Sequence, residues 1–260
     1  LLGILLAFVL EFLDDHPQTA RHLSGKLWTY FAGTEPTDTI IEALAKVWRS
    51  SKGDSRAMIR AIADRPEFWA PECVGRRVKS PLEFAVGTCR AMAAAAAFRE
   101  AIDAKKPFDT PIPQPVLEQL YYLSYQSQRM GQELLSPPDV AGWEWGRGWI
   151  SADAMMWRGK FGPAWSWVPK PEKKEEYHAG PTGRWLAARM KDPAPKSVEE
   201  MAERLQAIFD VHLGESGRAA LIERLTKSGG LAALANDDWL WGVSWQAFEL
   251  LRVAPEYQLG

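Results

Sequence analysis

Six residues in one stretch, Asp139, Trp143, Glu144, Trp145, Arg147 and Trp149, combine the side chains that a carbohydrate site uses. Tryptophan faces stack on sugar C–H faces, and carboxylates and a guanidinium at the rim can hydrogen-bond hydroxyls. The stretch, residues 136–150, also holds two prolines and three glycines, which exclude a long helix. The same composition suits a structural loop. Pro137-Pro138 would stiffen it, Gly142 would permit a tight turn, and the indoles would plug a gap between helices. The structural reading is the expectation: an ordered loop with Trp143 and Trp149 mostly buried, each indole N–H donating to a carbonyl or carboxylate. A hydrolase would instead need Asp139 and Glu144 facing each other across a cleft at about 5–10 Å, with Arg147 at its mouth.

No other stretch carries a reaction signature. The four histidines, His16, His22, His178 and His212, lack the spacing of a zinc site, so neither a metal nor a cofactor is expected. Asp14-Asp15 could orient His16 as a base, but His16 precedes Pro17 at a helix start, where a structural role is expected. No GxSxG elbow occurs. Ser24-Gly25-Lys26 lies within a helical pattern and lacks a glycine-rich phosphate loop, while Ser80 and Ser151 read as helix caps. Arg76, Arg77 and Lys79 could bind an anionic polymer if Arg21 or Lys26 joined them; alone they form a solvated turn. Cys73 and Cys89 could form one disulfide or stay as thiols. Cys89 lies in an apolar helical stretch, which favours a free, buried thiol.

The elements that would position these residues are helices. Pro17 suits a first helical turn and Gly33 a helix end. Thr37 or Asp38, Asp54, Ser80 and Ser151 stand where N-caps belong, each followed by apolar residues at helical spacing. Ser80-Pro81 with Glu83 is a capping-box pattern, opening a helix expected to run through Ala91–Ala97. A Pro-rich link over 107–115 precedes a helix expected over 116–132. Further helices are expected over 197–209, 218–225 and 240–251. Alternating strand patterns are nearly absent, so the predicted class is all-α. The expected organisation is a main helical domain over 1–161, a Pro-rich and charged loop or linker over 162–196, and C-terminal helices over 197–260 packing on the main domain.

The chain has 260 residues, 31 basic against 33 acidic, and 13 tryptophans. Its net charge of −2 argues against a dedicated nucleic-acid binder. Residues 1–13 form an apolar run without a basic start or a cleavage site, and shorter than the ~20 residues of a membrane span. They are expected to form a helix buried against other helices or another chain, within a longer parent protein. One echo stands out. Residues 62–68 and 251–257 both end a helix on Pro-Glu-aromatic, which reads as a shared way to stop a helix and fold an aromatic back, not as a repeat array.

Several segments together resemble the C-terminal part of a bacterial family catalogued as domain of unknown function 1800. They are residues 16–28 (HPQTARHLSGKLW), 63–71 (ADRPEFWAP), 78–84 (VKSPLEF), 129–132 (RMGQ), 137–143 (PPDVAGW) with Trp149-Ile150, and 255–259 (PEYQL). The likeness covers most of the chain and is least over 162–235; the loop glycines and Glu144-Trp145 depart from the family wording. The resemblance implies a mainly helical fold and export to the bacterial periplasm or outer cell surface. It also implies a frequent gene neighbour from a second exported family similar to sulfatases and alkaline phosphatases. It supplies no reaction. The functional expectation is a binding or scaffolding component for a glycan or a partner protein. The alternative is a hydrolase-like enzyme acting on a cell-surface polymer.

Overall fold

The computed structural model describes residues 8–13, 16–92, 114–162, 167–169 and 177–260. Within these the chain is all-α, as its periodicity predicts. The helices are α1 (Pro17–Ala32), α2 (Asp38–Ser50), α3 (Ser55–Ala63), α4 (Pro81–Ala91), α5 (Gln114–Arg129), α6 (Ala152–Lys160), α7 (Pro181–Lys191), α8 (Val198–Phe209), α9 (Glu215–Lys227) and α10 (Asp237–Leu251). Four short 3₁₀ turns and one antiparallel pair, β1 (Trp167–Pro169) with β2 (Tyr177–Ala179), complete the described elements. Trp167 faces Ala179 in the register.

The contacts divide the chain into two units, residues 1–78 with 259–260 and residues 79–258. The division lies at Val78/Lys79 and not at the charged segment 162–196. The reason is the core: Phe84 and Ala85 of α4, Phe161, and residues of α7 to α10 belong to one buried cluster. The segment 162–196 is more than a loop, because α7 lies within it. Leu186, Ala187 and Met190 of α7 are fully buried, at the one- and four-residue spacing of a helix face.

The smaller unit is built on α1, α2 and α3. Pro17 opens α1 and His16, through its Nδ1, accepts from the Gln18 N–H; Gly33 closes it in the left-handed conformation. Thr37 caps α2 and Asp54 caps α3 with side-chain oxygens, satisfying N–H groups that the helices leave orphaned. Trp28, Ile40, Leu44, Met58 and Ile62 form its core. After α3 the chain turns through the 3₁₀ segment Pro66–Trp69. Phe68 folds back edge-on against Trp28 at 6.2 Å, and the Trp69 indole donates to the Ala63 carbonyl at 2.7 Å. Residues 8–13 are helical but exposed: Phe8 is 68%, Leu10 57% and Phe12 62% accessible. Their expected burial is therefore not met within the chain, since these side chains join neither buried cluster. Residues 1–7 of that expectation lie outside the described residues.

The larger unit is organised by α10. Leu240, Trp241, Val243, Ser244, Ala247, Phe248 and Leu251 are all buried, so α10 is enclosed on most of its circumference, the pattern of a core helix. Asn236 caps it by accepting from the Trp239 N–H. Its tryptophans sit on glycines. A Cβ added to Gly183 of α7 would lie 2.8 Å from the Trp241 ring, and one on Gly229 would lie 2.5 Å from the Trp239 ring; Gly162 stands in the same way against Trp245. The capping box at Ser80 and Glu83 forms as predicted and starts α4. The predicted continuation of that helix beyond Met92 lies outside the described residues. The second Pro-Glu-aromatic turn, Pro255–Gln258, returns Tyr257 into the core against Phe84 at 5.5 Å and Phe248 at 6.3 Å.

Candidate functional site

The loop before α6 begins at a fixed point. The Ser127 hydroxyl donates to the Gln132 carbonyl at 2.8 Å, and the Gln132 side-chain oxygen accepts the Leu82 N–H at 3.0 Å. From there the loop is held by its own backbone. Ser136 N–H donates to Glu133, Gly142 to Asp139, Gly148 to Trp145 and Ile150 to Arg147. Asp139 closes a local turn: its Oδ1 accepts the Ala141 N–H at 2.7 Å, the Asx geometry that a short acidic side chain favours. Gly142 and Gly146 take positive φ of 95° and 57°, a conformation open to glycine at little cost. Ser151 ends the loop by capping α6.

The three loop tryptophans have different fates. Trp149 is buried at 6% exposure and Trp145 is 64% exposed. Trp143 is half-buried, and its Nε1 is buried without an acceptor among the described residues. The expectation therefore holds for Trp149 burial and fails for the Trp143 indole partner. The loop turns on Gly142 immediately before this ring, and no carbonyl of the loop reaches the N–H. Glu144, Arg147 and Asp139 are all exposed. Glu144 lies over the backbone of Gly148, where an added Cβ would stand 2.6 Å from its Oε2. The loop therefore offers one exposed indole and no row of aromatic faces. Its other exposed large hydrophobic side chains are aliphatic, beside the exposed charges already named: Leu134 is 37% exposed, Leu135 is 97% exposed at a positive φ of 64°, Val140 is completely exposed, and Ile150 is 43% exposed.

The remaining candidates fall into structural places. His16 is a helix cap, and His22 and His212 are exposed; the His178 side chain lies outside the described residues. No group of three potential metal ligands occurs among the described residues. Both cysteines are free thiols. Cys73 approaches the Thr34 hydroxyl at 3.4 Å, and burial pushes the Cys89 thiol up to about 12. Arg77 lies over the Tyr30 ring at 5.7 Å. Arg21 pairs with Asp38 and Glu42, so its charge is committed within its own unit.

Two constellations escape a reading of sequence alone. The first is a buried arginine clasp. Arg158 of α6 is fully buried and donates to the Gln258 side-chain oxygen at 3.0 Å and the Lys79 carbonyl at 2.7 Å, with the Phe84 ring 5.0 Å away. Desolvation lowers its guanidinium to about 10. Gln258 in turn donates to the carbonyls of Arg252 and Ala254, and Arg252 donates to the Phe161 carbonyl. The clasp fastens the second Pro-Glu-aromatic turn to α4 and α6, a structural task. The second lies on α5 and α6. Trp157 carries the Arg129 guanidinium at 4.5 Å and the Lys160 ammonium at 5.3 Å over its ring, with Tyr125 edge-on at 6.2 Å. The four-residue steps Tyr121, Tyr125 and Arg129 are the signal of it that the sequence holds.

The chain belongs to the family described as protein of unknown function (DUF1800), whose sequence model matches residues 6–259. No curated protein matches it, and no solved structure matches it. Among the described residues no helix is long and apolar enough to cross a membrane.

Proposed function

We propose that this member of the family is an exported bacterial envelope component that binds a partner protein through the loop over residues 133–150. The observation that carries this reading is the set of exposed apolar side chains on an internally hydrogen-bonded loop: Leu135, Val140 and Ile150, with the exposed Trp145. Apolar side chains held outward by a fixed backbone pay little ordering entropy on binding. A non-glycine residue in the left-handed region, as at Leu135, costs energy that a functional loop retains. The aliphatic character favours a protein over a glycan, because sugar recognition uses ring faces in a row and here one indole is exposed. The partner proposed is the exported, sulfatase-like protein expected beside it in the genome. A hydrolase receives less support: the Asp139 carboxylate is occupied by the Ala141 N–H and Glu144 lies over Gly148.

Co-expression with a sulfatase-like protein of the second family, followed by size-exclusion chromatography, tests this. The wild-type chain should co-elute with it. Leu135→Glu with Val140→Glu should abolish co-elution while leaving the thermal melt in place. Co-elution unaffected by the double variant, or none with the wild type, ends the proposal for this loop.

A further inference from the structure

One face of α5 carries Tyr121, Tyr125 and Arg129 at successive four-residue steps, which places them in line one turn apart, ~6 Å along the axis per step. Tyr121 is 72% exposed and Tyr125 49%. The line ends where α6 meets α5. There the half-buried Trp157, packed against the main core, bears Arg129 at 4.5 Å and Lys160 at 5.3 Å. Neither cation has a carboxylate within ion-pair distance among the described residues. Both stand in the last turn of their helices, where the dipole favours positive charge. That explains why each charge is tolerated. It does not explain why two cations gather on one indole at the end of a tyrosine line.

Exposed rings in line, closed by two cations without an anion, complement a chain of sugar rings bearing acidic groups. We propose that the α5–α6 face binds an acidic polysaccharide, with Tyr121 and Tyr125 stacking on sugar faces. Arg129 and Lys160 take a carboxylate or sulfate of the same chain. Trp157 is the pedestal that holds both cations toward that anion, since the ring's negative face attracts them and restricts where they swing. The arrangement fits a glycan better than a nucleic acid. Single-strand binders also stack bases on aromatics, but they add a basic groove along the backbone. Here two cations stand on a chain of net charge −2. The site is separate from the loop over residues 133–150, and neither proposal rests on the other.

Affinity electrophoresis of the full chain tests it, with polygalacturonate, dextran sulfate, neutral dextran and poly-dT as the probes. The wild type should be retarded by polygalacturonate, dextran sulfate or both, and by neither neutral dextran nor poly-dT; which acidic polymer retards it identifies the anion. Tyr121→Ala with Tyr125→Ala should weaken that retardation roughly tenfold or more, the scale of one or two lost stacking contacts. Arg129→Gln with Lys160→Gln should weaken it similarly and flatten its dependence on salt. Arg129→Lys should restore part of the binding. All variants are surface changes, and coincident thermal melts would establish that folding is intact. Retardation unchanged in the tyrosine pair would reduce the site to charge alone and overturn the proposal, as would preference for poly-dT or no retardation of the wild type.

Discussion

The tryptophans of α10 and those of the loop over residues 136–150 stand in equally glycine-rich company, and the glycines do opposite things. Facing α10, Gly183 has no Cβ because the Trp241 indole occupies its place. In the loop, Gly142 and Gly146 have open space where a Cβ would stand, and they are glycine for their positive φ. The outcome follows. Trp241 is fully buried, whereas Trp145 is 64% exposed. Tryptophan content therefore does not decide whether a segment is core or surface. For Trp241, burial goes with a neighbouring helix cut back at Gly183 to receive the ring.

The largest test of that contrast is Trp241→Ala, which should cost about 3–5 kcal/mol in chemical denaturation, as large aromatic truncations in a core do. A cost under about 1 kcal/mol would show that the ring is not seated as described. Gly183→Ala comes next and tests the seat itself. Helix propensity alone would make this change stabilising by about 1 kcal/mol. The Trp241 ring, 2.8 Å from the new methyl, should reverse the sign to a loss of about 1–3 kcal/mol. A stabilised Gly183→Ala protein would mean the seat has room to spare.

Much of the helical frame was legible because caps are local. Thr37, Asp54, Ser80 and Ser151 each accept the N–H that their position predicts. The echo at Pro66 and Pro255 was legible for the same reason: both are 3₁₀ turns that send an aromatic back to its own core. Helix α7 was missed because Pro171 and the charges before it suggested a continuing loop, although Leu186, Ala187 and Met190 already had helical spacing. The site was less legible. Nothing in the local sequence says that Trp149 is covered while Trp145, four residues earlier, is open, because that depends on which elements pack against the loop. Arg158 reads as a surface charge in Met-Met-Trp-Arg-Gly-Lys; its acceptors at Lys79 and Gln258 are far off in the chain.

A smaller effect concerns the core that holds Trp241. Burial raises Cys89 to about 12 from an ordinary value of 9.0, and Tyr257 is raised as well, its hydroxyl 2.8 Å from that of Thr88. The folded state thus keeps a thiol proton that the unfolded chain releases above pH 9. This contribution is complete below pH 9 and is lost as pH rises toward about 12. Cys89→Ala should cost about 1 kcal/mol at neutral pH and make the alkaline decline shallower. Thiol labelling at neutral pH should modify half-buried Cys73 before Cys89. Equal labelling rates would mean that this core opens more readily than its packing implies.

The smallest expected effect is at Trp145, and its smallness is the point. The ring is 64% exposed, so Trp145→Ala removes little buried area and should shift stability by under about 0.5 kcal/mol. Trp149→Ala, in the same loop at 6% exposure, should fall near the 3–5 kcal/mol of a core truncation. Acrylamide quenching offers a second measure, since deleting Trp145 should remove an accessible fraction of the emission and deleting Trp149 a shielded one. Should the loop serve a partner, Trp145→Ala must weaken the complex while its melt overlays that of the wild type. A melt shifted by several kcal/mol would place Trp145 with Trp241 instead. The contrast between the two regions would then dissolve, and the loop would be read as one more way this chain fills its core.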